Sequence, residues 1–250
     1  MEYLIVCPLA LIAGLVDAVA GGGGLISLPA YFFAGLPPHA AIATNKLSST
    51  MGTTVATVRY VLFGYMVKRF VIVGVACGLA GSAAGANLAL VADSFALMVF
   101  MLVSLPFVAW MVFRTRDLNR FAERPLPPRR ALALTGAIAL AVGIYDGFYG
   151  PGTGTILMLL LTAVAHQGMR EAAGTTKAIN LATNVAALTV FLANGEVLVG
   201  LGLAAGAFNI VGNWIGASLF DKKGAAILRP IMLIVIALFA LRLIFDLFAG

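Results

Sequence analysis

Long apolar runs dominate the chain, and they do not alternate with polar positions. They cover residues 3–20, 41–63, 70–91, 94–113, 131–149, 172–193, 197–218 and 226–248. A helix needs roughly 20 apolar residues to cross a bilayer core, so these stretches predict eight long spans. Two shorter pieces, 25–34 and 155–165, cannot cross alone. Each follows a break: Gly21-Gly22-Gly23-Gly24 in the first case, Gly150-Pro151-Gly152-Thr153-Gly154 in the second. Opened backbone at membrane depth is tolerated only inside protein or beside a wet cavity. Outer-membrane barrels read as short alternating strands, which continuous runs exclude. The predicted fold class is therefore all-α, a polytopic transmembrane bundle with about eight long spans and two short glycine-broken helices.

The same order of features occurs twice. Gly14-Leu15-Val16-Asp17 recurs as Gly143-Ile144-Tyr145-Asp146, and the breaks follow in register. After a two-residue slip, Thr44-Asn45-Lys46 matches Thr175-Thr176-Lys177, and Gly64 matches Gly195. Gly81-Ser82-Ala83-Ala84-Gly85-Ala86 then matches Gly212-Asn213-Trp214-Ile215-Gly216-Ala217. The predicted organisation is a first transmembrane repeat over 1–113, a linker over 114–130 and a second repeat over 131–250.

Composition agrees with a lipid-embedded chain. It is 62% hydrophobic and 10% charged, against about 25% charged for a soluble domain. A cytosolic enzyme, a disordered chain and a disulfide scaffold are all disfavoured. Much of the net charge of +6 is local: Arg114, Arg116, Arg120, Arg124, Arg129 and Arg130 face only Asp117 and Glu123. That reads as a cytoplasmic loop under the positive-inside rule, not as a nucleic-acid surface. Counting outward, Lys68 and Arg69 fall inside and Asp93 outside. Lys222, Lys223 and Arg229 fall inside only if the pair 131–165 re-enters or crosses twice. Each half then has an odd number of crossings, the repeats have opposite topology, and both termini are external. The N-terminal run lacks the positive region of a signal peptide, so it is expected to remain in the mature chain. Inverted repeats with paired broken helices are a recurring transporter plan, with substrate between the halves.

The chemistry is expected at the breaks. A helix start leaves backbone N–H groups without internal partners and carries about half a positive charge. Glycine lets a ligand approach closely, so Gly21, Gly22, Gly23 and Gly24, with Gly152, Thr153, Gly154 and Thr155, read as an oxyanion site. The alternative is that these glycines only permit close packing. Lys46 and Lys177 occupy one repeat position, roughly 9 Å into their helices. They read as anion-attracting groups, or as side chains snorkelling to the interface. Asn45 and Thr176 precede them. Ser49 and Thr53 continue the stripe from Lys46, as Asn180 and Asn184 do from Lys177, at i+3 and i+7. Asp17 and Asp146 take up protons, balance the lysines or cap their own turns; all three readings stay open.

Other features read as structural. Gly81/Gly85 and Gly212/Gly216 are small-xxx-small helix contacts. His39 and His166 read as surface anchors, Arg59 as a snorkelling side chain, and Arg242 with Asp246 as an i,i+4 pair. A paired-aspartate protease is disfavoured because the Gly-x-Gly-Asp half of its signature is missing. Metal spacing, a nucleophile elbow, a P-loop and a dinucleotide fingerprint are not found, so no cofactor or metal is expected.

Residues 14–29, Gly-Leu-Val-Asp-Ala-Val-Ala-Gly-Gly-Gly-Gly-Leu-Ile-Ser-Leu-Pro, with Gly-Leu-Pro-Pro-His-Ala-Ala-Ile-Ala-Thr at 35–44, resemble the TauE/SafE sulfite exporter family. So do Asp-Gly-Phe-Tyr-Gly-Pro-Gly-Thr-Gly-Thr at 146–155 and Ala-Gly-Thr-Thr-Lys-Ala-Ile-Asn at 173–180. The resemblance spans residues 3–248. It implies an inner-membrane permease for sulfite, sulfonates or related organosulfur anions, most often an exporter and not an enzyme. Asn45-Lys46 departs from many relatives, which carry an uncharged residue there, so cavity charge and substrate are open on this point. A passive anion channel and an uptake permease remain alternatives. The expected partners are the small anionic substrate and membrane lipid, with proton coupling through Asp17 or Asp146 undecided and the oligomeric state unassigned.

Overall fold

The computed structural model describes residues 1–114 and 126–218, together with Ala237, Leu241 and Ile244. The predicted span 226–248, the Arg242–Asp246 pair, the basic residues Lys222, Lys223 and Arg229 and most of the linker lie outside the described residues. Within them the regular elements are all α-helices. In chain order these are α1 (Glu2–Ala20), α2 (Gly24–Phe33), α3 (Pro38–Leu62), α4 (Lys68–Val91), α5 (Ser94–Arg114), α6 (Pro128–Phe148), α7 (Thr153–Ala163), α8 (Met169–Ala193) and α9 (Val199–Ala217).

Seven of the eight predicted long stretches are helical here, and both short apolar pieces form helices, α2 and α7. Five of the helices, α1, α4, α6, α8 and α9, are long and apolar enough to cross a membrane by length and composition. The expectation of eight is thus only partly met. α3 has the length, but Thr44, Asn45, Lys46, Ser48 and Ser49 interrupt its apolar character.

Local chemistry sets the ends. α1 stops where Gly21 takes φ +69° and its N–H donates to the Asp17 carbonyl at 2.8 Å, a left-handed cap that glycine adopts without a Cβ penalty. Gly150 and Gly152 take φ +100° and +80° before α7. α3 and α6 open on Pro38 and Pro128, where a missing N–H costs nothing.

Glycine faces bring the helices together. α4 lies along α6 and α1 lies along α9; α3 contacts α8 and α9, and α4 contacts α8. A Cβ at Gly81 or Gly85 would stand 2.3 or 2.0 Å from the carbonyl oxygens of Leu140 and Ile144. At Gly212 or Gly216 it would stand 2.0 or 2.5 Å from those of Leu11 and Leu15. Both predicted small-xxx-small pairs therefore mark backbone-to-backbone approach. Exchanging α1 with α6, α3 with α8 and α4 with α9 turns α4–α6 into α1–α9 and α4–α8 into α3–α9, and leaves α3–α8 unchanged. The outside is apolar, with Leu62, Ile72, Val91 and Val103 exposed, while Lys46, Lys177, Asp17 and Asp146 are buried. That inversion of soluble-protein burial fits a lipid surround.

Candidate functional site

The two glycine breaks meet. Gly21 and Gly154 are in backbone contact, so that a Cβ on Gly21 would lie 2.5 Å from the Gly154 carbonyl carbon. The Thr155 N–H donates to the Gly21 carbonyl at 3.2 Å, which takes one of the α7 helix-start amides out of any ligand site. Gly24 faces Pro151 across the same junction. The starts of α2 and α7 have no side-chain caps.

Beside this junction lies a cavity of about 30 Å³, room for roughly two water molecules. Asp17, Gly21, Gly23 and Gly24 line it from the first break, and Asp146, Gly150, Gly152, Thr153 and Gly154 from the second. Asn45, Lys46, Ser49 and Thr53 line it from α3, Asn180 and Asn184 from α8, and Asn209 from α9. Most of the residues expected at the site thus converge. Gly22, Thr155, Thr176 and Lys177 do not line the cavity.

The lysines are neither free cations nor snorkelling side chains. Lys46, 2% exposed, places Nζ 2.9 Å from Asp146 Oδ2. Lys177, 3% exposed, places Nζ 3.0 Å from Asp17 Oδ2 and also donates to the Asp17 carbonyl oxygen. Both aspartates balance a lysine, and Asp146 also ties to Thr153 of its own break. Each pair joins one half of the chain to the other. A buried ammonium is costly unless paired, and the four formal charges sum to zero. The site is therefore less positive than two unpaired lysines would make it. The aspartates also touch their surroundings: Thr153 Oγ1 donates to Asp146 Oδ1 at 2.7 Å, and Thr53 Oγ1 to Asp17 Oδ2 at 3.5 Å.

Amides and hydroxyls supply most of the remaining lining. Asn184 Nδ2 donates to the Asn180 carbonyl at 2.8 Å and lies 3.3 Å from Asn180 Oδ1. Asn213 Nδ2 donates to Asn209 Oδ1 at 2.7 Å. Asn209 was missed in the sequence because its repeat counterpart is Gly78, so matching the two repeats does not mark it. Gly52 makes room for it: a Cβ there would stand 1.8 Å from Asn209 Oδ1.

Two residues read as surface features have other roles. His39 Nε2 lies 3.1 and 3.0 Å from the carbonyl oxygens of Ala89 and Ala92, so it caps the C-terminal end of α4. Arg59 lies over the Trp214 ring at 4.7 Å and the Phe63 ring at 5.4 Å, and donates to the Trp214 carbonyl.

Broken helices meeting inside an apolar-coated bundle, with ion pairs and a donor-rich cavity at their junction, define a membrane transporter. The chain belongs to the sulfite exporter TauE/SafE family, whose profile matches residues 6–243. It is similar to the probable membrane transporter protein ORF9 of Sinorhizobium sp, 34% identical over 95% of this chain and 90% of that protein. A probable membrane transporter protein of Haemophilus influenzae is 30% identical over 94% of this chain and 91% of its own length. The probable membrane transporter protein YfcA of Escherichia coli K12 is 29% identical over 95% and 87%. No solved structure gives a significant match.

Proposed function

We propose that the chain carries a small sulfur oxyanion, sulfite or an organosulfonate, across the inner membrane by alternating access between two inverted repeats. The observation that carries this reading is the cavity at the meeting point of the two breaks. Its amide and hydroxyl groups and the Lys46 ammonium are donors suited to oxygen acceptors, and the α2 and α7 helix starts add positive potential. Its volume, room for roughly two waters, is on the scale of sulfite, and an organosulfonate needs the cavity to widen. The family profile, named for sulfite export, points the same way. The exchange pattern of helix contacts supports a two-fold relation between the halves, and the loop charges alone argue for a cytoplasmic linker and external termini.

The first test is ligand stabilisation of the purified protein. A ligand at 100 times its Kd stabilises the folded state by about 2.7 kcal/mol. Sulfite, sulfoacetate, taurine, thiosulfate and sulfate are compared by thermal shift. Sulfite or a sulfonate is expected to raise the apparent Tm more than sulfate. Proteoliposomes preloaded with the same anion should take up labelled anion faster than empty ones. A passive pore gives no such trans-stimulation. Absence of both responses across the five anions would end the sulfur-oxyanion reading.

A further inference from the structure

The two lysines are equivalent in the repeat but not in the structure. Lys46 lines the cavity, and among the described residues its ammonium is bonded to Asp146 alone. An ammonium has three donors, so it keeps donor capacity on the cavity side. Lys177 does not line the cavity; its ammonium is held by both the carboxylate and the backbone carbonyl of Asp17. Both aspartates line the cavity. One pair is thus arranged to open toward a ligand, and the other is a closed clasp between the halves.

Resting on the anion-transport reading above, we infer that Lys46 is the ammonium that holds the substrate oxyanion, which displaces Asp146 from it, while the Lys177–Asp17 pair stays closed and positions the first glycine break. The chemistry follows from charge. An anion entering beside an intact Lys46–Asp146 pair meets a carboxylate bonded to the ammonium it needs, so the two anions compete for one cation. Removing the charge of Asp146 removes the competitor. Removing the charge of Asp17 frees no cation in the cavity, because Lys177 lies outside it and remains tied to the Asp17 carbonyl oxygen.

The experiment measures sulfite and sulfoacetate affinity of purified full-length protein by calorimetry. Asp146→Asn is expected to bind the responding anion at least tenfold more tightly than wild type. Asp17→Asn also takes a carboxylate out of the lining but frees no ammonium there, so it is expected to tighten binding by less than a third of the factor seen in Asp146→Asn. Equal tightening in both variants, tightening in Asp17→Asn alone, or none in either would overturn the assignment. If Asp146→Asn does not yield monodisperse protein, Lys46→Arg and Lys177→Arg decide. The first is expected to change the sulfite-to-sulfoacetate affinity ratio by fivefold or more and the second by less than twofold. A ratio that moves equally in both, or only in Lys177→Arg, would overturn it. Wild type that binds neither anion speaks against the transport reading itself. Wild type that binds, with variants that behave alike, removes only the assignment to Lys46.

Discussion

At the scale of single residues, Gly21 carries two separate constraints, its positive φ and its contact with Gly154. Gly35 carries only the first: it has φ +89° with nothing within 4 Å of a built Cβ. Left-handed backbone costs a non-glycine residue about 1–2 kcal/mol. Gly35→Ala should therefore lower stability by roughly that amount and leave anion binding intact. Gly21→Ala should also force the two breaks apart, with a larger drop in apparent Tm and loss of the anion-induced shift. Equal effects of the two substitutions would show that the contact between the breaks is not needed. Glycine clustering made this junction legible in the sequence, because few other reasons place such runs in an apolar chain. The ion pairs were legible only as a set. The repeat marked Lys46, Lys177, Asp17 and Asp146 together, but partnership across the halves depends on how the repeats dock. The difference between the lysines depends on which side of α3 and α8 faces the cavity, which spacing alone does not state.

At the scale of elements, two glycine pairs do equivalent work in different halves. Gly85 is set against the Ile144 carbonyl on the α4–α6 face and Gly216 against the Leu15 carbonyl on the α1–α9 face. A valine at either position has no space and must separate two helices along their length. Gly85→Val and Gly216→Val are each expected to lower the apparent Tm by several degrees or abolish folded yield, and by similar amounts. The control Gly168→Ala, where φ is −58° and no atom lies closer than 3.8 Å to the Cβ position, should change it far less. A fall confined to one of the two valine variants would show that the helix faces are not equivalent in strength. The repeat makes these faces readable in advance, since the glycines recur at matched positions. It hides the place where the halves differ. Gly52 faces Asn209, and the counterpart positions hold Thr183 facing Gly78, whose built Cβ would lie 3.2 Å from the Thr183 methyl. Bulk has moved from one helix to its neighbour, and only in the second half does it bring an amide into the cavity. Looking for matches between repeats finds Lys46 and Lys177, and the same habit passes over Asn209.

At the scale of the whole molecule, the transport reading needs the halves to face opposite ways. Lys68 and Val199 begin α4 and α9, hold matching repeat positions and are both exposed. The positive-inside argument puts Lys68 with the cytoplasmic charges and Val199, next to Glu196, on the other side. Single cysteines at Lys68→Cys and Val199→Cys, in a background where Cys7 and Cys77 are replaced, make this measurable. A membrane-impermeant maleimide on intact cells is expected to label Val199→Cys directly and Lys68→Cys only after permeabilisation. If both positions react from the same face, the repeats run parallel. Rocking of one half against the other about the shared cavity then loses the symmetry that would make its inward- and outward-open states equivalent. The cross-half pairs Lys46–Asp146 and Lys177–Asp17 would still hold the bundle shut. Opening it to one side would then need a movement peculiar to that side, because no mirror-related movement would exist to serve the other.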